Sequence, residues 1–213
     1  MRDSVLTLEP LNFGVAGGDL VATISLDGRQ DPIQARAKVR VRKILIGKLF
    51  PTVHLTKTSA GQINGEFDLA GTGNSLGRML ATSNGKVGLV IADGEISEMM
   101  METVGLHLWE MLRLKIGGDK TFKIRSGVGN FSIESGVMHA DASVLDTEVI
   151  TISGMGNIDL GHEKLDLRIS QKTKDTSIVA LRGPIYVRGS FADPEFKLDT
   201  GAGSPHAGSA QLP

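Results

Sequence analysis

The stretch IQARAKVRVR, residues 33–42, alternates apolar and polar, mostly basic, side chains at every step. Successive side chains of a β-strand point to opposite faces, so this stretch predicts a strand with one aliphatic face and one basic face. The same alternation recurs along the rest of the chain. It covers residues 20–26, 63–69, 150–160, 165–169 and 185–191. The sequence therefore predicts a protein built mainly of half-buried strands.

Glycine-containing breaks separate these runs, so short turns should join the strands and make them mostly antiparallel. The breaks are Gly17-Gly18, Asp27-Gly28, Asp93-Gly94, Ser135-Gly136 and Gly161. We also expect two or three short helices: around Ile44 to Phe50, after Asn74-Ser75, and within residues 97–116, where Ser97 is a suitable N-cap. The predicted fold is mainly β (α+β), a curved, mostly antiparallel sheet that forms a groove-like architecture.

The composition is that of a folded domain rather than a disordered chain. Of the 213 residues, 40% are hydrophobic and 22% are charged, which is close to ordinary globular usage. We expect one domain over residues 1–199. Residues 200–213 are small and polar, and we expect them to form a disordered tail.

The chemistry of the sequence offers no candidate catalytic centre. The five histidines are scattered without the spacing of metal ligands, there is no cysteine, and no serine can be paired with a base. The formal net charge of -1 gives no overall attraction to nucleic acid. Residues 71–77 fit a strand-to-helix turn capped by Asn74 or Ser75 better than a phosphate-binding loop. We therefore predict no enzyme activity, no metal and no cofactor.

A local basic surface is the least ordinary feature of the sequence. Residues 28–57 contain eight Lys or Arg residues and Asp31 as the only acidic residue. Four of the eight form what we call the basic stripe: Arg36, Lys38, Arg40 and Arg42. One interpretation is a charged outer strand face that discourages edge pairing. The other is a patch that binds lipid headgroups or a protein partner.

Three stretches in the same order carry a family resemblance. They are residues 61–75 (GQINGEFDLAGTGNS, followed by related residues to 86), residues 146–160 (DTEVITISGMGNIDL, followed by EKLDL), and residues 184–196 (PIYVRGSFADPEF). Together they resemble the carboxy-terminal region of the AsmA family, over about Val5 to Leu198. This family is similar to the repeating β-groove, bridge-like lipid-transfer proteins.

The resemblance implies a place and an activity. AsmA-like proteins are implied to be large envelope proteins of Gram-negative bacteria, anchored in the inner membrane by an amino-terminal helix and extending into the periplasm. We expect that anchor to be absent from this chain, which has no apolar run of the roughly 18 residues that a span needs. The implied function is non-enzymatic: phospholipid transport between inner and outer membranes, and outer-membrane maintenance.

A lipid groove would need one continuous apolar face to shield acyl chains. The residues expected to line it are Ile33, Val39, Val41, Ile150, Ile152, Ile158, Leu165, Leu167 and Ile185. The alternative is a protein-interaction module that assists outer-membrane protein assembly and docks an envelope protein on the basic stripe. A hydrolase is a third possibility for which no residue can be named.

Overall fold

The structure is a computed structural model that describes residues 4–45, 48, 61–92, 94–97, 121–174 and 183–199. Twelve strands and one helix have both ends among these residues. They are β1 (Val5–Val15), β2 (Gly18–Asp27), β3 (Gln34–Leu45), β4 (Gln62–Thr72), α1 (Leu76–Ala81), β5 (Asn84–Ala92), β6 (Gly94–Ser97), β7 (Thr121–Glu134), β8 (Val137–Thr147), β9 (Ile150–Asp159), β10 (Lys164–Thr173), β11 (Ile185–Ser190) and β12 (Pro194–Leu198).

All twelve strands belong to one sheet, and every pair of neighbours in it is antiparallel. The order of strands in the sheet follows the chain from β1 to β12, apart from β6. The long strand β7 accommodates β6 beside its first residues and β5 beside its later ones. The prediction of a mainly β protein with mostly antiparallel strands is therefore confirmed.

The expectation of two or three helices is not supported. Helix α1 follows Asn74-Ser75, as expected. Of the piece expected around Ile44 to Phe50, Lys48 is helical. Ile44 and Leu45, however, end β3, because Ile44 pairs with Ile63 beyond a register shift and the ladder continues through it. Ser97 is the last residue of β6. The rest of residues 97–116 and most of 46–50 lie outside the described residues, as does the predicted tail at 200–213.

One face of the sheet carries the aliphatic side chains. Residues directly opposite each other in an antiparallel pair share a face. The register aligns Val39 with Phe67, Phe67 with Val87, and Val87 with Phe131. Further along, Ile158 lies opposite Leu165 on the same face. We call this side of the sheet the apolar face, and the opposite side the polar face.

The most buried part of the apolar face lies toward β12. Ile124, Ile150, Ile185 and Val187 are at most 8% exposed and pack as one group, which we call the apolar cluster. Partly buried side chains packed against them include Ile152, Leu165, Leu167, Ile169 and Leu198. The core of this single-layer sheet is therefore formed by side chains that pack laterally, from strand to strand.

Glycines inside the strands make this lateral packing possible. A Cβ atom on Gly127 would lie 2.9 Å from Ile91 Cβ and 3.0 Å from Leu145 Cδ1, which belong to the two flanking strands. A Cβ on Gly65 would lie 2.6 Å from Leu89 Cδ2. Large side chains thus occupy the space that a glycine leaves beside them. Gly65 and Gly127 therefore serve the packing of the apolar face rather than turns.

The predicted glycine-containing break at Ser135-Gly136 is a tight turn between two antiparallel strands. Ser135 and Gly136 form the two-residue turn between β7 and β8, with φ of 48° and 78°. Positive φ at both positions is typical of a type I′ turn, which matches the twist of the flanking strands.

At the start of α1, the Ser75 hydroxyl accepts a hydrogen bond from the backbone N–H of Arg78 at 3.3 Å. Of the two predicted candidates, Asn74 and Ser75, it is therefore Ser75 that is the N-cap.

Candidate functional site

Eight of the nine residues predicted to line a groove lie in strands and on the apolar face. Ile33 is the exception in position, because it comes one residue before β3, where its N–H donates to Asn74 Oδ1 at 3.2 Å. Val39 and Val41 lie in β3, opposite Phe67 and Gly65. The others lie in β9, β10 and β11: Ile150, Ile152, Ile158, Leu165, Leu167 and Ile185.

The structure brings five of these residues together. Ile150 and Ile185 are buried members of the apolar cluster, and Ile152, Leu165 and Leu167 pack against it. Ile158 pairs with Leu165 and Met138 at the other end of β9. The apolar face is thus continuous in register from β3 to β11, with its tightest packing near β9, β10 and β11.

Exposed aromatic side chains lie on the two edge strands. Phe13 in β1 is opposite Leu20 and is 51% exposed. Phe196 in β12 is opposite Val187 and is 42% exposed. Both rings belong to the apolar face by register. Sequence analysis missed them, although each stands in phase with aliphatic neighbours two residues away in its own strand.

The basic stripe lies on the polar face, where strand β4 supplies carboxylates. Lys38 Nζ is 3.3 Å from Asp68 Oδ2, and Arg40 Nε is 2.7 Å from Glu66 Oε1. Such exposed ion pairs stabilise a fold by about 0–1 kcal/mol each. Within the described residues, Arg36 and Arg42 have no ion pair. The local net charge of the basic stripe is therefore less positive than the sequence of β3 alone suggests.

Shallow depressions of the polar face divide the stripe. Arg36 lines one of about 490 Å³, and Lys38 and Arg40 line another of about 490 Å³. Arg40 and Arg42 line a third of about 620 Å³ together with Lys43. Lys43 has a φ of 53° in the irregular part of β3, and its N–H donates to Asn64 Oδ1 at 3.0 Å. This backbone irregularity places two consecutive basic residues at one depression.

An apolar strip interrupts the polar face beside that third depression. Val90, Val128 and Val144 lie directly opposite one another on β5, β7 and β8. They are 48%, 51% and 43% exposed. We call them the valine strip. Sequence analysis did not single them out, because each belongs to the polar phase of its strand.

Comparison with known proteins decides the family. The sequence model described as the AsmA family matches residues 1–142. The chain belongs to the AsmA family. It is also 36% identical over 201 residues to the AsmA family protein YhjG of Escherichia coli (strain K12). That alignment covers 94% of this chain and 29% of YhjG, so the chain spans less than a third of its curated relative. No solved structure gives a significant match.

Membership of the AsmA family suggests an envelope protein. Among the residues that the structure describes, no helix has both the length and the hydropathy needed to cross a membrane.

The polar side chains of this AsmA-family chain form local pairs across neighbouring strands. Ser132 Oγ donates to Asp141 Oδ1 at 3.0 Å, and His139 Nδ1 lies 2.8 Å from Asn157 Oδ1. Ser132 and His139 lie opposite each other in register but bond to different partners. Within the described ranges, no three His, Asp or Glu side chains are grouped so that they could hold a metal ion. The absence of enzyme activity stays a prediction.

A polar clamp closes the hairpin next to the apolar cluster. Lys174 Nζ donates to the Asp146 carboxylate at 2.8 Å and to the Thr147 carbonyl at 2.6 Å, and Thr151 Oγ1 donates to Asp146 at 2.7 Å. The hydrogen bonds from Lys174 and Thr151 hold the pKa of the Asp146 carboxyl below its ordinary value. The buried Thr147 hydroxyl donates to the Ile150 carbonyl at 2.9 Å. The clamp thus fixes the backbone that presents Ile150 to the cluster.

This clamp predicts a pH-dependent stability. The folded-state pKa of Asp146 lies below its unfolded value, so the ionised carboxylate stabilises the fold above the unfolded pKa. That stabilisation is lost as the pH falls through the folded pKa. We expect Asp146→Asn to be less stable than the wild type at neutral pH, and the difference to shrink toward about pH 3. Urea unfolding midpoints across this range measure it.

Lys174→Met is the matched variant, because it removes the largest cause of the shift while leaving the carboxyl in place. It should show the same shrinking difference. A stability difference that stays constant with pH for either variant would contradict the proposed linkage.

Proposed function

We propose that this chain is a non-enzymatic, periplasmic segment of an AsmA-family envelope protein. Its apolar face shields acyl chains while phospholipids move between the inner and outer membranes, and so serves outer-membrane maintenance. The full-length protein is anchored in the inner membrane. The observation that carries this proposal is a single sheet whose aliphatic side chains share one face from β3 to β11.

A continuous aliphatic face offers a physical means of holding lipid. Each CH₂ group that leaves water for such a surface contributes about 0.8 kcal/mol, so one acyl chain binds without a specific headgroup contact. Antiparallel sheets twist, and in the proposed groove the twist and curvature of the sheet turn the apolar face into a trough. Phe13 and Phe196, on the edge strands, are suited to cover the rims of this trough.

Photo-crosslinking in cells tests the proposal on the full-length protein. A crosslinking residue placed at Val39 or Ile152 should capture phospholipid, because both positions belong to the apolar face. The matched controls are the adjacent positions Lys38 and Thr151, whose side chains point to the opposite face. Mass spectrometry of the adducts gives the readout. Equal capture on both faces, or no lipid at either apolar position, would count against the groove.

A protein-interaction module that assists outer-membrane protein assembly is the second candidate function. The valine strip favours it, because three exposed valines in one row on a polar face are suited to contact a protein. Arg42 and Lys43 line the adjacent depression. In this case a probe at Val128 would yield one discrete protein adduct that Arg42→Glu abolishes, while a probe at the buried Val87 would yield none.

A further inference from the structure

A single amide interrupts the apolar face of β10. Gln171 is in phase with Leu165, Leu167 and Ile169, and it lies directly opposite Ile152 of β9. By register its side chain therefore belongs to the apolar face. Its neighbours Ile169 along β10 and Ile152 across to β9 both pack against the apolar cluster.

The amide group of Gln171 is buried and has no hydrogen-bond partner among the residues that the structure describes. Both Oε1 and Nε2 are inaccessible, although the residue as a whole is only partly buried. Roughly 90% or more of buried polar groups in proteins are paired, because an unpaired one destabilises the fold. Leucine or methionine at this position would fill the same space without that cost. The fold alone therefore gives no reason for an amide here.

We propose that the Gln171 side chain, whose amide is covered by its neighbours, changes rotamer to bind the ester carbonyl of a diacyl phospholipid held on the apolar face. This inference rests on the proposed function. A carboxamide has two N–H donors, and the surrounding aliphatic side chains admit an acceptor that is itself attached to hydrocarbon. A charged headgroup would lose its hydration among these side chains at a large cost. The ester carbonyl, at the junction of acyl chain and glycerol, is the acceptor that meets both conditions.

The proposal has a consequence for selectivity. A hydrogen bond at one fixed point of β10 sets the depth at which the glycerol esters lie along the face. It also makes the protein distinguish lipids that have ester carbonyls from lipids of equal length that have ether links. One neutral hydrogen bond corresponds to about a 5-fold preference.

The test offers the purified 213-residue chain an equimolar mixture of dipalmitoyl phosphatidylglycerol and its dihexadecyl ether analogue in vesicles. The two lipids share headgroup and chain length and differ in the carbonyls. Native mass spectrometry of the re-isolated protein counts each bound lipid. We expect the wild type to retain about 5-fold more ester than ether lipid. Gln171→Leu should bind both lipids equally and retain lipid overall.

Gln34→Leu is the matched control, because Gln34 is exposed on the polar face, and it should keep the wild-type preference. Thermal unfolding of both variants verifies that they are folded. Equal binding of the two lipids by the wild type, with lipid clearly bound, would overturn the role of Gln171 and leave the proposed function standing. No binding of either lipid by the wild type would overturn both.

Discussion

Gly156→Ala should lower the free energy of unfolding by roughly 4 kcal/mol, since it combines backbone strain with a steric clash. Gly156 lies within β9 with a φ of 126°, a conformation that side chains rarely adopt. A Cβ atom there would lie 2.2 Å from the Asp166 carbonyl oxygen and 2.9 Å from Leu167 Cα, both in the backbone of β10. Neither neighbour can move without disturbing the ladder between the two strands. Urea denaturation monitored by circular dichroism measures the loss.

Gly88→Ala provides the matched control within another strand. Gly88 lies in β5, and a Cβ there would meet nothing within 4 Å. This substitution should be neutral or stabilise the fold by about 0.4–1 kcal/mol, because alanine reduces the conformational entropy of the unfolded chain. Equal changes in the free energy of unfolding for Gly156→Ala and Gly88→Ala would contradict the close approach of β10 to Gly156.

Ile150→Ala should lower the free energy of unfolding by about 3 kcal/mol. Ile150 is 0% exposed and belongs to the apolar cluster with Ile124, Ile185 and Val187. Hydrogen bonds to the Thr147 hydroxyl hold its backbone N–H and carbonyl, so the strand cannot easily close over the cavity. The same urea denaturation gives the readout.

Val128→Ala is the control for this second substitution. It removes apolar atoms from a residue of the same sheet that is 51% exposed on the polar face, and it should change stability by less than about 0.5 kcal/mol. If Val128→Ala lowered the free energy of unfolding as much as Ile150→Ala, the distinction between a packed apolar face and an exposed polar face would be contradicted.

Local sequence patterns were sufficient to predict six of the twelve strands and several of their ends. The alternation in residues 33–42 identified β3, because period two is a property of the strand itself. Ser135-Gly136 and Ser75 were predicted for the same reason, since a tight turn and a helix cap depend on a few adjacent residues. The face on which Val39 and Ile152 lie also follows from this periodicity.

Properties that depend on distant strands were not predictable in this way. Glu66 neutralises Arg40 from 26 residues away, so the charge of the basic stripe cannot be read from its own strand. Gly127 is flanked by Ile91 and Leu145 only once three strands are aligned. Gln171 left a signal that could have been found, because it follows Leu165, Leu167 and Ile169 in the aliphatic phase of β10.

Strands that are adjacent in the chain are also adjacent in the sheet, so the interactions that stabilise the sheet are mainly between sequence neighbours. Apart from β6, each strand pairs only with those directly before and after it among the strands described. In such an array, stability is close to a sum of nearest-neighbour terms. Amide hydrogen exchange should therefore be fastest in the edge strands β1 and β12, and its rate should decrease strand by strand toward the centre of the sheet. Because each strand depends mainly on its neighbours, a further hairpin could pair with either edge strand. It would extend the apolar face without disturbing any existing contact.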